Sequence, residues 1–426
     1  MAHSTAATRS IDEWIREAAI SFDMALPESL HSAVDRFVAA LGDSVEIVGL
    51  GEPMHGAPEF LVFRNLLFRR LVETHGFRSI AVESSFPRGR LVNNYVNGAT
   101  PGPTSYDDVK ESGFSHGFGR AAANHELVDW MRAYTAGSAA GTSLRFYGFD
   151  SPTEMMWTDS PRHLIEFVLN YLASKGNDDE ARRQRVQELL GNDAEWENQE
   201  AAFEPSKSLG LSPAANALRL EVEELVAIFD INRPEWLASD SDSYLEVVRY
   251  AELVRQLLTY HAAVARPSPQ RIAHLLGLRD AMMADNLTHI LSRERSRGRV
   301  LVFAHNSHLK RGPASWKLGP DLLEWWPAGA HLGATLGARY AVIGVGVGTS
   351  EENGIGTPEP RTLEALLTAA PGPQRLVPTH RGQAFNEGQF AALSTRSGSE
   401  RNPGYFPLTT QSIAEFDWLA ILDSIS

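Results

Sequence analysis

The amino-acid sequence predicts an α/β fold with a mostly parallel sheet and a large helical insertion. Short apolar, β-branched runs alternate with amphipathic helical patterns up to about residue 155, and strand patterns return after about residue 296. Between these stretches only helical patterns occur. Strands that alternate with helices are typical of βαβ units, whose strands run parallel. We therefore expect an α/β core in two parts, residues 1–155 and 296–426, separated by a helical insertion or cap at residues 156–295.

The first part of the core opens with two amphipathic helices. Ile11, Trp14 and Ile15 recur at helical spacing, and so do Val34 and Phe37. Three strand candidates and two further helices follow in alternation. The strand candidates span residues 45–50, 79–82 and 144–149, and the helices span about 59–74 and 124–134.

The insertion is predicted to be helical, and the second part of the core restores the strands. Helical patterns cover about residues 164–172, 186–190, 214–229, 244–265 and 271–291. Strand patterns return at 300–304 and 340–347, and residues 416–422 fit either a strand or a helix. The stretch 351–373 is rich in Gly and Pro, which predicts a loop with one short helix.

Composition excludes several classes of site and partner. The 426 residues include 39 Lys and Arg against 53 Asp and Glu, and the net charge of −14 disfavours binding to nucleic acid. Cysteine is absent, which excludes disulfides, cysteine nucleophiles and zinc–thiolate sites. No apolar run reaches the roughly 18 residues that span a membrane, and residues 1–13 lack the pattern of a secretory signal. We expect a cytoplasmic protein without a membrane partner, either a monomer or a small homo-oligomer.

Polar residues suited to catalysis follow four of the five strand candidates. In a parallel sheet the carboxyl ends of the strands lie on one edge, where open α/β folds bind ligands. We therefore expect these residues to share one site, in a cleft between the sheet edge and the helical insertion. They are Glu52 and His55 after the first strand, Glu83 after the second, Asp150 after the third, and His305 and His308 after the fourth.

This set of residues suits hydrolysis without a cofactor. A histidine titrates near pH 6.5 and can take a proton from water at neutral pH. A neighbouring carboxylate orients the imidazole and stabilises its charged form. Glu52 lies three residues before His55, and Glu83 offers a second carboxylate. His305 and His308 could stabilise an oxyanion, bind a leaving group or ligate a metal.

Two alternative hypotheses use the same residues. In the first, the three histidines and one or more of the carboxylates bind a divalent metal such as zinc in a metal-dependent hydrolase. In the second, the protein binds a ligand without turnover, and His305 and His308 hold a metal or haem. The spacing His305-x-x-His308 is seen in metal sites, but alone it is a weak signal.

Three further motifs carry less weight. Residues 113–117 match the G-x-S-x-G motif of serine hydrolases, but that motif follows a buried strand, and residues 106–111 are too polar for one. A loop that matches by coincidence is the better interpretation. Residues 344–348 repeat glycine after a strand without completing a dinucleotide-binding loop. Trp325 and Trp326 fit the core better than an apolar cleft.

Residues 49–56, Gly-Leu-Gly-Glu-Pro-Met-His-Gly, resemble the G-E-x-x-H-G signature of the erythromycin esterase family. Other features agree in order and spacing. Arg64 lies on the next helix, Arg279 and Asp280 lie late in the insertion, and residues 304–308, Ala-His-Asn-Ser-His, resemble the family's A-H-N-x-H. The resemblance extends from about residue 45 to residue 350.

The resemblance implies a three-layer α/β fold with a helical cap. It also implies hydrolysis of a small-molecule ester, typified by opening of a macrolide lactone, an activity that confers antibiotic resistance. In at least some members the mechanism is independent of metal, and a histidine activates water for attack on the ester carbonyl. The site residues carried over by position are His55 as the base, Glu52 as its partner, Glu83 and His305 as the rest of the catalytic set, and Arg64, His308 and Asp150 as substrate-binding residues.

One departure from the family pattern concerns the substrate. Many members have a small residue and Thr before the histidine, whereas this chain has Pro53 and Met54. Met54 removes a hydroxyl beside the proposed base, and Pro53 stiffens the loop. A macrolide is therefore one candidate substrate of an ester hydrolase.

Overall fold

A computed structural model describes residues 10–139, 141–154, 157–383 and 387–426. Residues 155 and 156, where the sequence divides the core from the insertion, lie outside the described residues, as do residues 1–9 of the N-terminal segment. Within the described residues, no helix combines the length and the apolar character needed to cross a membrane.

The described residues contain twelve strands, eight of which form one sheet. The strands are β1 Ile20–Phe22, β2 Ile47–Glu52, β3 Phe77–Ser85, β4 Arg145–Asp150, β5 Thr153–Glu154, β6 Trp157–Thr158, β7 Arg299–His305, β8 Ala314–Leu318, β9 Asp321–Trp325, β10 Tyr340–Thr349, β11 Gln374–Pro378 and β12 Trp418–Ser424. The order in the large sheet is β1-β11-β12-β10-β2-β7-β3-β4. Neighbours from β12 to β4 run parallel, and β11 runs antiparallel to both β1 and β12. The prediction of a mostly parallel sheet is therefore confirmed.

Helices cover both faces of the sheet and fill the insertion. They are α1 Ile11–Ala18, α2 Pro27–Ala40, α3 Pro58–His75, α4 Phe86–Val96, α5 Ala122–Ala136, α6 Arg162–Ser174, α7 Glu180–Leu190, α8 Asp193–Trp196, α9 Pro213–Ser239, α10 Ser241–Val264, α11 Arg271–Glu294, α12 Asn306–Leu309, α13 Ala328–Leu336, α14 Leu363–Ala369, α15 Glu387–Ala391 and α16 Ser412–Glu415. The helix that follows β2 is α3. It has Pro58 in its first turn and is capped by Gly76, whose φ of 72° suits glycine.

Side chains of the sheet alternate between two apolar cores, because successive residues of a strand point to opposite faces. On β7, Leu301 and Phe303 face the core formed with α2, α3, α4 and α5. Val300, Val302 and Ala304 face the core formed with α1, α11, α13 and α14. The sheet between two helical layers is the three-layer arrangement that the family resemblance implies.

The helical insertion has an apolar core of its own. Residues 162–294, all of which are described, contain helices and short 3₁₀ turns without a strand. Leu169, Phe229, Trp236 and Tyr250 are buried among α6, α7, α9 and α10, whereas α11 packs on the sheet. The α/β class with a helical insertion is confirmed, and the division into domains near 155 and 295 stays a prediction.

Two features of the strand arrangement are not predicted by the sequence patterns. The edge formed by β1 and β11 is one, since these strands have only three and five residues. The antiparallel pair β8–β9 is the other. Residues 418–424, at the end of the sequence, form a central strand, which resolves the choice between strand and helix there.

Asn306, the first residue after β7, ties together the strands beside the site. Its side chain donates to the carbonyl of Val345 at 2.7 Å and accepts from the Val345 N–H at 3.1 Å. A Cβ atom at Gly51 would lie 2.0 Å from Asn306 Oδ1, so only glycine leaves room for this side chain. The contact fixes β2, β7 and β10 relative to one another just before Glu52 and His305.

Candidate active site

Four of the predicted residues meet where the central strands end. Glu52 and His305 are register partners at the ends of β2 and β7, and Glu83 lies near the end of the neighbouring β3. His55 follows in the loop after β2, with its ring centre 5.4 Å from that of His305. The carboxyl edge of the parallel sheet thus brings these side chains together.

His55 lies between two carboxylates. Its Nδ1 is 2.7 Å from Glu52 Oε1, and its Nε2 is 3.7 Å from Glu83 Oε1. The imidazole is 40% exposed, whereas both carboxylates are buried. When Nδ1–H donates a hydrogen bond to Glu52, Nε2 carries no proton and its lone pair is available on the side of Glu83.

Burial and mutual attraction shift the pKa values of Glu52 and His55. Burial raises the pKa of Glu52, although its hydrogen bond with His55 opposes the shift. Loss of water around His55 disfavours its charged form, but the charge of Glu83 and the hydrogen bond with Glu52 outweigh this effect and raise the pKa of His55. His55 is therefore a stronger base than a free histidine.

Glu83 is held in its ionised form by its neighbours. Its Oε2 accepts from the backbone N–H of His305 at 2.8 Å, and its Oε1 lies 3.3 Å from both Arg279 Nη2 and His308 Nε2. Burial opposes the charge, but His308, His55 and Arg279 lower the pKa of Glu83 well below its usual value. Glu83 is consequently a carboxylate at neutral pH.

Asp280 holds His308 through the other ring nitrogen. Asp280 Oδ1 lies 2.8 Å from His308 Nδ1. The same carboxylate accepts from Trp325 Nε1 at 2.6 Å and from the Ala328 N–H at 2.9 Å. Burial opposes a charge on His308, but Asp280 and Glu83 raise its pKa to about 10. His308 is therefore a buried imidazolium at neutral pH, between two carboxylates.

His305 is neutral and fully engaged in hydrogen bonds. Its Nε2 donates to the carbonyls of Gly404 at 3.0 Å and Pro53 at 3.3 Å. Its Nδ1 lies 2.6 Å from Ser307 Oγ and accepts from the Ser307 N–H at 3.3 Å. Burial and the nearby charge of His55 lower the pKa of His305 to about 3. His305 thus links the loop after β2 to residues 402–406, and the Phe406 N–H donates to Pro53 O at 2.7 Å.

Arg64 places a buried positive charge beside Glu52. Its Nε and Nη2 donate to Asn65 Oδ1 at 3.1 and 2.7 Å, and its guanidinium carbon lies 4.9 Å from the centre of the Phe303 ring. In the part of the chain that the structure describes, the guanidinium of Arg64 forms hydrogen bonds only with Asn65. No carboxylate there forms an ion pair with Arg64. Burial lowers the pKa of Arg64 to about 10, which still leaves it charged at neutral pH.

Asp150 is clamped by Arg279 at the end of β4. Arg279 Nε and Nη2 donate to Asp150 Oδ1 and Oδ2 at 3.0 and 2.5 Å. Burial opposes the charge, but Arg279 lowers the pKa of Asp150. His116 Nε2 lies 3.6 Å from Asp150 Oδ2, and His116 Nδ1 lies 3.7 Å from Glu154 Oε2.

A cavity of about 460 Å³ opens beside His55. Its polar wall is formed by Glu52, His55, Arg64, Glu83 and His116. Its apolar wall comes from the first turn of α3, from residues 114–123, which include the rings of Phe114 and Phe118, and from the ring of Phe303 on β7. An apolar chamber with a few converging polar groups is typical of a small-molecule site.

The structure divides the predicted site residues into two groups. The first group consists of Glu52, His55, Arg64 and Glu83, which line the cavity. His305, His308 and Asp150 do not line it and contact its polar wall from behind. This geometry favours a positioning role for the second group, and substrate contact by His308 and Asp150 stays a prediction.

The prediction of a cleft between the sheet edge and the helical insertion is wrong for this cavity. None of the residues 162–294, a fully described range, lines it. The last helix of the insertion, α11, packs against the opposite face of the sheet. The cavity wall comes from β2 and the loop after it, from α3, β3 and β7, and from residues 114–124.

The sequence patterns did not mark His116. Its neighbour Ser115 belongs to the G-x-S-x-G match, and the structure buries that serine, which accepts from the Ser85 N–H at 3.0 Å and donates its N–H to Ser84 Oγ at 2.9 Å. Ser115 therefore anchors the loop that carries His116 to the cavity. A single histidine in a loop has no periodicity to reveal it, and its position beside two acids depends on the fold.

The donor atoms of the site do not fit a metal ion. In the described ranges of the chain, no three His, Asp or Glu side chains are grouped as metal ligands would be. His305 Nε2 donates to two carbonyls, and both nitrogens of His308 face carboxylates. The ring nitrogens of His305 and His308 are therefore already engaged by groups of the protein.

Known proteins are similar to this chain in sequence and in fold. The family model described as erythromycin esterase matches residues 72–425, a range that begins after His55. The chain is similar to erythromycin esterase type II of Escherichia coli, at 24% identity over 342 residues, which are 78% of this chain and 76% of that protein. Its fold is similar to that of a Bacillus cereus protein, with a TM-score of 0.73 and 19% identity over 98% of this chain and 97% of that one. It is also similar to a mutant of the erythromycin esterase EreC in its open conformation, with a TM-score of 0.65 and 19% identity over 96% and 98% of the two chains.

Proposed function

The chain belongs to the erythromycin esterase family, and from this membership we propose that it is a carboxylic ester hydrolase in which His55 activates water. The water attacks an ester or lactone carbonyl bound in the cavity beside that histidine. The observation that carries the proposal is the place of His55 Nε2, 3.7 Å from the ionised Glu83 and at the wall of the cavity.

The two atoms that flank the water are His55 Nε2 and Glu83 Oε1. At 3.7 Å apart they can both hydrogen-bond to one water molecule beside them. As the water oxygen bonds to the carbonyl carbon, its proton passes to Nε2. Glu52 accepts a hydrogen bond from Nδ1–H and stabilises the imidazolium that forms. General base catalysis of this kind contributes roughly a hundredfold to ten-thousandfold in rate.

Arg64 stabilises the oxyanion that attack creates on the former carbonyl oxygen. Its guanidinium lines the cavity and has no ion pair among the described residues, so its charge is available to a bound group. A buried, fixed donor of this kind is worth more than one in water, because it needs no reorganisation during the reaction.

The residues behind the cavity hold the reacting groups in place. His308 and Arg279 neutralise Glu83 and orient it, and Asp280 keeps His308 charged. His305 fixes the loop that carries His55 through its hydrogen bond to Pro53 O. In this arrangement His305 and His308 act through their neighbours.

The proposed substrate class is a small-molecule ester, with a macrolide lactone as the first candidate. A relative of this chain is named an erythromycin esterase, and the cavity has a largely apolar wall suited to a hydrocarbon ring. Met54, the departure from the family pattern, is fully buried, and its Sδ accepts from Asn402 Nδ2 at 3.4 Å. Met54 does not line the cavity, so it leaves room for such a ring, and macrolide hydrolysis would confer resistance on its host.

Mass spectrometry of a panel of macrolides and simple aryl and alkyl esters tests this function. Wild-type protein should add one water to at least one ester over many turnovers. His55→Ala should lose roughly a hundredfold to ten-thousandfold in kcat/KM while its thermal unfolding stays close to that of the wild type.

The matched control is His331→Ala, at an exposed position on α13. This variant should keep the wild-type rate. Full activity of His55→Ala would remove His55 from the mechanism, and the absence of turnover across the panel would overturn the proposed function.

A further inference from the structure

We propose that His116 is a second catalytic imidazole, which delivers a proton to the leaving alcohol oxygen when the ester bond breaks. The proposal rests on the proposed function. It assigns the one proton transfer that activation of water by His55 leaves open.

His116 lies in the same cavity as His55, across one aromatic ring. Both imidazoles are part of the polar wall. The ring centre of Phe118 is 5.3 Å from that of His55 and 5.3 Å from that of His116. A substrate that lies over Phe118 can therefore face His55 with its carbonyl carbon and His116 with its leaving oxygen.

The two histidines have similar surroundings. His55 lies between Glu52 and Glu83, and His116 lies between Asp150 and Glu154, at 3.6 and 3.7 Å. A carboxylate therefore lies within 4 Å of each ring nitrogen of both imidazoles, and only Glu52 is close enough to form a hydrogen bond, with His55. Two imidazoles in one cavity, each between two acids, suit an acid and a base that act in succession.

The hydrogen bonding of His116 leaves its ring available. Among the described residues, its buried Nε2 has no hydrogen-bond partner, since Asp150 Oδ2 lies beyond bonding distance. The side chain is still 23% exposed. The nitrogen that remains for a substrate is Nδ1, beside Glu154.

The loop holds His116 rigidly, in a conformation that histidine rarely adopts. The φ angle of His116 is 57°, in the left-handed region. The loop is fixed by Ser115, bonded to Ser84 and Ser85, and by the His116 N–H, which donates to Glu154 Oε1 at 3.0 Å. Strain of this kind persists where surrounding contacts impose it, and it clusters at functional sites.

The proposed step is balanced in protons and electrons. Collapse of the tetrahedral intermediate reforms the carbonyl π bond from the oxyanion electron pair and breaks the bond between carbon and the leaving oxygen. The leaving oxygen takes the Nδ1 proton of His116. The step requires that His116 begins with a proton on both ring nitrogens. His116 ends neutral and His55 ends protonated, and solvent returns a proton to the first and removes one from the second. The Nε2 proton gained by His55 faces Glu83, which favours a separate donor for the leaving group.

Leaving-group dependence distinguishes this role from a structural one. An alkoxide needs a proton to leave, whereas nitrophenoxide leaves without one. We would measure kcat/KM of the wild type and of His116→Asn on a nitrophenyl ester and an alkyl ester of the same acid. Asn tolerates a positive φ better than other side chains, so the loop should keep its shape. The expected result is a loss of about a hundredfold or more on the alkyl ester, with the nitrophenyl ester nearly unaffected.

A second variant and a control complete the test. His116→Gly removes the imidazole at a position where glycine is unstrained and should show the same contrast between esters. His331→Asn, on the exposed face of α13, should hydrolyse both esters at the wild-type rate. Equal losses on both esters would overturn the assignment of His116 and leave the proposed function standing. If the wild type hydrolyses neither ester, the proposed function fails, and the assignment fails with it.

Discussion

His308 Nε2 lies 3.3 Å from Glu83 Oε1, so the carboxylate beside His55 is paired with a buried imidazolium. Burial opposes that charge, yet two carboxylates raise the pKa of His308 to about 10. Burial and His55 lower the pKa of the neighbouring His305 to about 3. One site therefore holds imidazoles with opposite protonation states at neutral pH, and of the three histidines His55, His305 and His308 it is His55 that lines the cavity.

The activity is expected to rise with pH through a midpoint above 6.5, the ordinary pKa of histidine. The neutral form of His55 is the base, and Glu83 and Glu52 raise its pKa despite its partial burial. Glu52→Gln removes one of these negative charges, so its midpoint should move to lower pH. Profiles of kcat/KM against pH measure both. Glu28→Gln, at an exposed position on α2, is the control, and an unchanged midpoint in Glu52→Gln would contradict the pairing of Glu52 with His55.

Asp280→Asn should impair both stability and turnover without a change in the cavity wall. The substitution leaves His308 without its counter-charge, and breaking a buried ion pair costs about 3–5 kcal/mol. Denaturant unfolding should show that loss, and kcat should fall more than KM rises because Glu83 loses its alignment. Asp12→Asn breaks the exposed pair with Arg16 and should cost less than about 1 kcal/mol. Equal effects of the two variants would argue against the series of buried ion pairs that links Asp280, His308 and Glu83.

The ion pair between His308 and Asp280 also predicts how the stability of the protein depends on pH. The folded-state pKa of His308 is raised to about 10, above its ordinary value of 6.5. Its contribution to stability is therefore complete below pH 6.5 and is lost as the pH rises through 10. Unfolding free energies of the wild type should decline over this window, and those of His308→Gln should decline less. Parallel curves for the two proteins would show that His308 is not the charged group inferred here.

Replacement of Arg64 should slow the chemical step. Loss of an oxyanion donor costs roughly a hundredfold to a thousandfold in kcat, and Arg64→Met removes the guanidinium while it keeps much of the packing against Phe303. Arg64→Lys should recover part of the rate, since it keeps a charge. Arg36→Met, at an exposed position on α2, should have no effect. A higher KM with an unchanged kcat would indicate that Arg64 only binds the ground state.

Removal of divalent metals should leave the rate unchanged. The ring nitrogens of His305 and His308 are engaged with carbonyls and carboxylates, and His55 Nδ1 is engaged with Glu52. Exhaustive dialysis against a chelator, followed by kinetics on the best ester, is the measurement. Activity that disappears and returns with zinc or manganese would restore the metal-dependent alternative.

The sequence predicts the parallel sheet and the proximity of the strand-end residues for one physical reason. Parallel strands place their carboxyl ends on one edge, so Glu52, Glu83 and His305 meet once the strands are recognised. The periodic helices of the insertion were predictable in the same way. The short edge strands β1 and β11 lack the length to show a pattern.

The residues that the patterns did not place act through long-range packing. Asp280 lies on a helix of 24 residues, where one buried acid does not disturb the apolar period. His116 lies in a loop, and its neighbours Asp150 and Glu154 come from other segments. Protonation states are harder still to predict from sequence. His305 and His308 are only three residues apart, yet the groups around them shift their pKa values in opposite directions.

The hydrogen bonds from His305 to Gly404 and from Phe406 to Pro53 have a consequence for biosynthesis. Residues 402–406 leave the ribosome after every other residue of the site. A nascent chain that has already paired β2, β7, β3 and β4 still lacks the clamp on the loop that carries His55. Competence for turnover should thus arrive late in translation, at about the time that β12 completes the sheet.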